Sequence, residues 1–386
     1  FTGIEAHINI LTATTTTTTN FYLFISGVFF LHLYLKGVLH TMKLIFTKSN
    51  LSKAVNIVLK AVPSKTTMNI LQCILIDATT NSIKFTANDM ELGIESIVEG
   101  EIIEKGQIAI DAKIFSEIVR KLPDNDITIE TDSNFNALIS CEKSRFNIAG
   151  RSGEDFSYLP VITKDKVVHL SQFELKEVIT QTIFSIAVND NNKIMTGELF
   201  EINNGTFKVI ALDGHRIAIR SIFLKGISDN AKVIVPGKTL NELNKILSSD
   251  AESEVNIYFT DNHILFEFDD TTVVSRLIEG EYFRVNQMLS NDYKTKIVIN
   301  KKDLLDSIDR ANLLIKEDDK KPIIINVTDG SLEVKVSSSL GSSNEEIDID
   351  KDGSDIMIGF NPKFLIDALR VIDDETINIY LVNPKA

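Results

Sequence analysis

The feature that most restricts how this chain folds is an internal repeat. Three amphipathic segments, IAIDAKIFSEIVRKL, VIVPGKTLNELNKIL and IGFNPKFLIDALRVI, carry lysines at 113, 238 and 363, so the unit recurs every 125 residues. Phe115, Leu240 and Leu365 follow in register, then Ile118, Leu243 and Ala368, then Leu122, Leu247 and Ile372. Spacing of i, i+3 and i+7 gathers these residues into one buried stripe of a helix and leaves the opposite face free. A second helical pattern starts at Leu51, Leu175 and Leu304 and continues at Val55, Ile179 and Ile308. It predicts helices long enough to bring Val62, Ile186 and Ile315 onto the same face.

Around these helices run alternating apolar stretches closed by Asn204-Gly205, Asp329-Gly330 and Thr80-Asn81-Ser82, the pattern of antiparallel strands joined by tight turns. The expected fold class is therefore α+β: three tandem domains, each with two helices against antiparallel sheets. Their expected bounds are 42–162, 163–291 and 292–386. After its strand at Ile127 the first unit continues to Pro160 through a hairpin over 137–148, whereas the third stops at Ala386 soon after Ile377. The third domain is expected to lack a final hairpin, leaving an unpaired edge and an under-filled core.

Residues 1–41 do not share this pattern. They open at Phe1, pass through a threonine tract at 14–19, and give the uncharged run FYLFISGVFFLHLYL at 21–35. One reading is a membrane anchor, which would make the protein a tethered, non-catalytic scaffold. A non-cleaved export signal is a second, although the run lacks a basic start and a small-residue cleavage site. The third, adopted as the expectation, takes Met42 of MKLIFTKSNL as the true start and residues 1–41 as no part of the native fold.

The segment FKVIALDGHRIAIR at 207–220 reads as strand, tight turn and strand, with His215 and Arg216 side by side in a chain of six histidines. Asp89 in KFTANDMELGIE is its counterpart in the first unit, but only the second unit carries His and Arg there. Two readings stay open: a solvated turn whose Asp and Gly satisfy its geometry, or an exposed edge that docks a partner.

Composition narrows the function. Apolar residues make up 44% of the chain, enough to fill real cores. Cys73 and Cys141 have neither disulfide nor metal-ligand spacing, and fit structural roles in a reducing cytoplasm. No phosphate loop, dinucleotide fingerprint or HExxH occurs. Asp348, Asp350, Asp352 and Gly353 imitate the start of an EF-hand, but position twelve is Gly359, and the alternating IDID reads as strand. Asp213 and His215 lack an adjacent nucleophile or metal cluster, so no enzyme, metal or cofactor is expected. The net charge of −14 argues against a chain coated in nucleic acid. Yet the six helical segments are together net basic, and a surface they lined would attract phosphate backbones without reading sequence. The bland alternative is that surface helices often carry more lysine than edge strands do.

Taken together, the three-fold repeat, MKLIFTKSNLSKAVNIV, the Lys-Ser-Arg-Phe at 143–146, MTGELFE at 195–201 and LDGHRIAI at 212–219 resemble the bacterial sliding clamps, the beta subunits of the replicative DNA polymerase III holoenzyme. The resemblance covers everything after residue 41. It implies a cytoplasmic, non-catalytic head-to-tail homodimer that closes a ring around duplex DNA, helices inside and sheets outside, with each chain forming half the ring. The ring would act as a processivity factor, holding the polymerase by topology. It implies DNA contacts at Lys65, Lys113, Asn189, Lys193 and Ile194, and a dimer interface in which Phe146 and Ile148 meet Leu313 and Leu314. It also implies a pocket of Met195, Leu212, Gly214, His215, Arg216, Ile217, Phe283 and Met288. That pocket would take short peptides from the polymerase alpha subunit, the clamp loader and other clamp-binding proteins, its Met and Leu fitting aliphatic anchors and its His-Arg rim orienting them.

Overall fold

The computed structural model describes residues 42–384 except 166, 189–190, 225–229, 290–291 and 317–320. The expectations placed on residues 1–41 and on Asn189 lie outside the described residues. Residues 42–163 with 265–275 form one compact body, and residues 164–264 with 276–384 form another. No helix among the described residues is long and apolar enough to cross a membrane.

The repeat takes the form of a strand that runs directly, or through one capping residue, into a helix, twice in each unit. The helices are α1 (Lys48–Val58) and α2 (Ala112–Lys121), α3 (Gln172–Thr180) and α4 (Gly237–Asn244), α5 (Lys301–Asn312) and α6 (Pro362–Arg370). Five of them start on a side-chain cap that satisfies an orphan amide of the first turn. Thr47, Asp111, Asn300 and Asn361 accept from backbone N–H groups, and Ser171 with Glu174 completes a capping box. The fourth, α4, follows Pro236, which offers no such bond.

Two features differ from the expected helices. The first helix of each unit stops short of Val62, Ile186 and Ile315. At those residues the backbone N–H instead closes a tighter three-residue bond, to Leu59 O (3.2 Å), Ile183 O (3.3 Å) and Asn312 O (3.0 Å). This 3₁₀ winding satisfies carbonyls the α-helix leaves open and steers the chain away. Second, the expected buried stripe holds at Leu240, Leu243 and Leu247 but is rotated elsewhere: in α2 Phe115 and Leu122 are buried with Val119 while Ile118 is half-buried, and in α6 Ile366 and Leu369 are buried in place of Leu365 and Ala368.

In the first body one antiparallel sheet runs in the order 271–275, 92–98, 83–88, 73–77, 107–111, 144–152, 136–141, 126–131, 42–47, 101–104. Strand Ser144–Ser152 serves two neighbours in turn: residues 144–149 pair with Asn136–Cys141, and Gly150, Arg151 and Ser152 pair with Gln107–Asp111. The changeover falls at Gly150, where a Cβ would lie 2.7 Å from Ile108 Cδ1 and 2.9 Å from Phe135 O, so no larger residue fits without displacing backbone. Cys73 and Cys141 are both buried, and burial pushes both thiols up from their ordinary range.

In the second body the sheet 217–223, 206–212, 197–203, 231–236 belongs to the second unit. Two sheets belong to the third: 350–353, 295–300, 376–381 and 341–348, 331–338, 323–328, 356–360. The third unit's core packs Leu304 and Ile308 of α5 and Ile366 and Leu369 of α6 against Ile297, Ile299, Ile325, Val327 and Val334. Asp348 ends strand Gly341–Asp348 and residues 350–353 form strand Asp350–Gly353, with Ile349 between them, so the alternation is that of strands.

Candidate partner pocket and nucleic-acid surface

Strands Thr206–Leu212 and Ile217–Phe223 pair in register from Thr206 with Phe223 to Leu212 with Ile217, which leaves the Asp-Gly-His-Arg turn at the open end of the hairpin. Asp213 Oδ1 accepts the backbone N–H groups of His215 (3.0 Å) and Arg216 (3.1 Å), and Gly214 sits at φ +84°. The turn is therefore rigid, and its second position suits glycine. Asp89 builds the same turn in the first unit, accepting from Glu91 N (3.0 Å) and Leu92 N (2.7 Å), with Met90 at φ +75° in glycine's place.

Arg216 departs from the expected open rim. Its Nε donates to Asp213 Oδ2 (3.0 Å), its Nη1 to Asp367 Oδ2 on α6 (2.8 Å) and its Nη2 to the Phe184 carbonyl. Its guanidinium centre lies 4.7 Å from the ring of Phe364 and 5.3 Å from that of Phe184. Only 15% of the side chain is exposed. His215 is exposed, and its ring stacks on Phe364 with centroids 5.8 Å apart. Asp213 is committed to its own turn and to Arg216, so it does not form an acid–base pair with His215.

Below the hairpin lies an apolar cluster. Buried Leu199, Ile210, Leu212, Ile234, Tyr282 and Val285 are joined by half-buried Ile194, Met195, Ile217, Ile278 and Phe283. Four of the expected pocket residues, Met195, Leu212, Ile217 and Phe283, thus meet at one place. Met288 stands apart, 55% exposed. Ile194, expected at DNA, is half-buried and packs against this cluster, where an aliphatic side chain loses water-exposed area. The Tyr282 hydroxyl donates to Ile210 O (3.1 Å), and its ring meets Phe283 edge-on at 5.9 Å. Burial, with the nearby Glu198 carboxyl, pushes that phenol up. Phe184, Tyr282, Phe364 and Asp367 were not expected at the site; Asp367 alone had a sequence signal, an acid that recurs every 125 residues as Glu117, Glu242 and Asp367.

Glu198, on the strand beside this cluster, is fully buried, and neither of its carboxyl oxygens has a hydrogen-bond partner among the described residues. The hydroxyl of Thr182 beside it is committed to the Val178 carbonyl at 2.7 Å. Burial therefore holds this carboxyl well above the usual carboxylate range.

Lys65, Lys113 and Lys193 are exposed, as phosphate ligands must be. Several helix lysines are committed elsewhere. Lys48 Nζ donates to Leu122 O, Lys176 Nζ to Leu247 O (3.1 Å) and Lys301 Nζ to Ile372 O (2.9 Å). Each joins the first helix of a unit to the chain leaving the second. Of the expected dimer residues, Phe146 is 40% and Leu313 78% exposed, Ile148 is half-buried, and Leu314 packs on the third unit's core.

Family models match three stretches of the chain: the N-terminal domain of the DNA polymerase III beta subunit at 42–160, its central domain at 169–283 and its C-terminal domain at 286–386. A beta sliding clamp of Staphylococcus aureus is 34% identical over 334 residues, covering 84% of this chain and 88% of its own. Among solved structures, a chain from Eubacterium rectale described as a DNA polymerase III beta subunit is 67% identical with a TM-score of 0.87, covering 89% of this chain and 94% of its own. The DNA polymerase sliding clamp of Bacillus subtilis is 32% identical with a TM-score of 0.85, covering 89% and 93%.

Proposed function

The chain belongs to the family of bacterial DNA polymerase III beta subunits, and from that premise we propose that it is the processivity factor of the replicative DNA polymerase. Two copies close head to tail into a ring around duplex DNA in the bacterial cytoplasm. The ring slides and tethers the polymerase, keeping its effective concentration at the primer end high without any chemistry of its own. A clamp loader driven by ATP places the ring on DNA. The observation that carries this reading is the match of all three domains, in order, to the three domains of that family.

Local features support the parts. A ring made from two copies needs two different, complementary patches on each chain. Among the described residues, 144–149 pair on one side only, and strand Gly341–Asp348 is the edge of its sheet. Phe146 and Ile148 beside the first edge and Leu313 and Leu314 near the second supply the apolar contact. Lys65, Lys113 and Lys193 meet phosphates, with Asn189 four residues before Lys193 in sequence. Met195, Leu212, Ile217 and Phe283 form the floor of the peptide pocket, with Gly214 and His215 at its edge and Met288 as an adaptable outer contact.

The test is topological. Protein loaded onto nicked circular DNA by a clamp loader and ATP is retained through gel filtration, and is lost when the circle is cut to a linear form. Equal retention on both forms overturns the ring mechanism in favour of ordinary electrostatic binding.

A further inference from the structure

We infer that Arg216 is a positioning residue that pins helix α6 of the C-terminal domain to the turn at 213–216 of the central domain, and so sets the shape of the peptide pocket. The inference rests on the pocket reading above. A guanidinium presents five N–H donors in a planar fork with two apolar faces. Here the fork bonds Asp213 at 3.0 Å, Asp367 at 2.8 Å and the Phe184 carbonyl, and Phe364 and Phe184 lie within 4.7 and 5.3 Å of its centre. Two carboxylates surround this one cation, and their side chains are 13% and 21% exposed. The charge of this cation is already more than balanced by the two carboxylates, so a partner's carboxylate gains little from approaching it, and the residue is assigned to holding the fold and not to serving as counter-ion to a bound peptide.

What Arg216 does hold is a seam between two domains. Phe364 and Asp367 stand three residues apart on α6, and Asp373 lies just past its end. Phe364 takes the ring of His215, Asp367 takes Arg216, and Asp373 accepts from Gln181 Nε2 at 3.1 Å. Gln181 caps the C-terminus of α3, and Phe184, whose carbonyl Arg216 holds, belongs to the short 3₁₀ turn after it, so α6 and the residues just past it meet the central domain at the 213–216 turn and at the end of α3. Among the described residues α6 contributes no side chain to the apolar cluster itself. Its influence on the pocket passes through the turn at 213–216, whose flanking residues Leu212 and Ile217 are members of that cluster. A seam closed by one shared cation fixes orientation more sharply than apolar contact alone, because each bond in the fork has a preferred direction.

The experiment measures binding of a short fluorescein-labelled peptide with leucine and phenylalanine anchors, by fluorescence anisotropy, to the full chain. No binding to the unaltered protein overturns the pocket reading, and this inference with it. Given binding, Asp367→Asn, which lies outside the apolar cluster, is expected to weaken affinity roughly five- to thirtyfold, and Asp367→Glu to recover part of the loss. In the cycle with Arg216→Lys, the double variant is expected to be no weaker than the worse single variant, because both changes undo one contact. Hydrogen exchange at the amides of His215 and Arg216 should quicken in Asp367→Asn, a readout that a role confined to α6 stability would not move. Unchanged affinity in Asp367→Asn, or losses that simply multiply in the cycle, overturns the inference while the pocket stands.

Discussion

Asp89 and Asp213 build one turn with different second residues, Met90 and Gly214, and that contrast can be measured. An L-residue held in the left-handed region loses about 1 kcal/mol to contact of its Cβ with the backbone. Met90→Gly is expected to gain up to about 1 kcal/mol and Gly214→Ala to lose about the same, both read from urea denaturation midpoints. Gly214→Ala should also weaken peptide binding, because it distorts the turn Arg216 belongs to. Glu198 makes a pH-dependent prediction. Its folded form keeps the proton while the unfolded chain ionises near the ordinary value of 4.5, so stability falls as pH rises from there towards the raised folded value. Glu198→Gln removes the ionisation, and should flatten the decline in melting temperature and raise it at neutral and alkaline pH. A variant with the same pH slope as the unaltered protein would show that Glu198 ionises freely in the fold. The role of Arg216 was not legible in sequence for a specific reason. An acid occupies the same helix position in all three repeats, as Glu117, Glu242 and Asp367. The first two pair locally with Arg120 and Lys245 three residues on. In the third, Arg370 turns to Asp309 at 3.3 Å, and Asp367, with only exposed Lys363 on its own helix as an ion-pair partner among the described residues, at 3.6 Å, takes Arg216 at 2.8 Å.

Each pair of helices is tied by a lysine whose ammonium takes a carbonyl at the C-terminal end of the second helix, where the helix dipole favours a cation. Lys48 and Lys301 hold equivalent positions. In the central domain Gln172 stands there instead and accepts from Ser248 N at 2.9 Å, while Lys176, about one turn later, reaches the Leu247 carbonyl. The contact is thus preserved from a different position, which a register-based reading does not reveal. Lys301→Ala is expected to cost about 1–2 kcal/mol in urea denaturation. Neighbouring Lys302, exposed and paired with Asp306 one turn away, should cost less than about 0.5 kcal/mol when changed to alanine. Equal effects would mean that the carbonyl contact contributes nothing. The existence and order of helices α1 to α6 were readable from apolar spacing, as were the hairpins closed by Asn204-Gly205 and Asp329-Gly330. What spacing alone could not give was where α1, α3 and α5 yield to a 3₁₀ turn. Val62, Ile186 and Ile315 continue the apolar period after the backbone has changed its winding.

At the scale of the whole molecule, an acidic chain that embraces DNA must concentrate its cations where phosphates pass. Three of the helix lysines are committed to carbonyls, so in the proposed ring the electrostatic contact would fall to exposed residues such as Lys65 and Lys113. Single Lys65→Ala and Lys113→Ala variants should each lower the slope of log binding constant against log salt by about 0.9, equally for DNA of unrelated sequences. An unchanged slope removes that lysine from the DNA surface. The three-domain plan was legible because the lysines at 113, 238 and 363 set its period. The grouping of strand residues 271–275 with the first compact body was not, since the repeat assigns that strand to the second unit. The strand that changes partner at Gly150 also carries load. Its first half offers an edge beside Phe146, and its second half is bonded within the middle of its own sheet. Mechanical tension applied at that edge therefore runs along a single unbroken backbone into the bonds of residues 150–152 with 107–111. It loads them in shear, all together, where a strand ending at the edge would peel away one bond at a time.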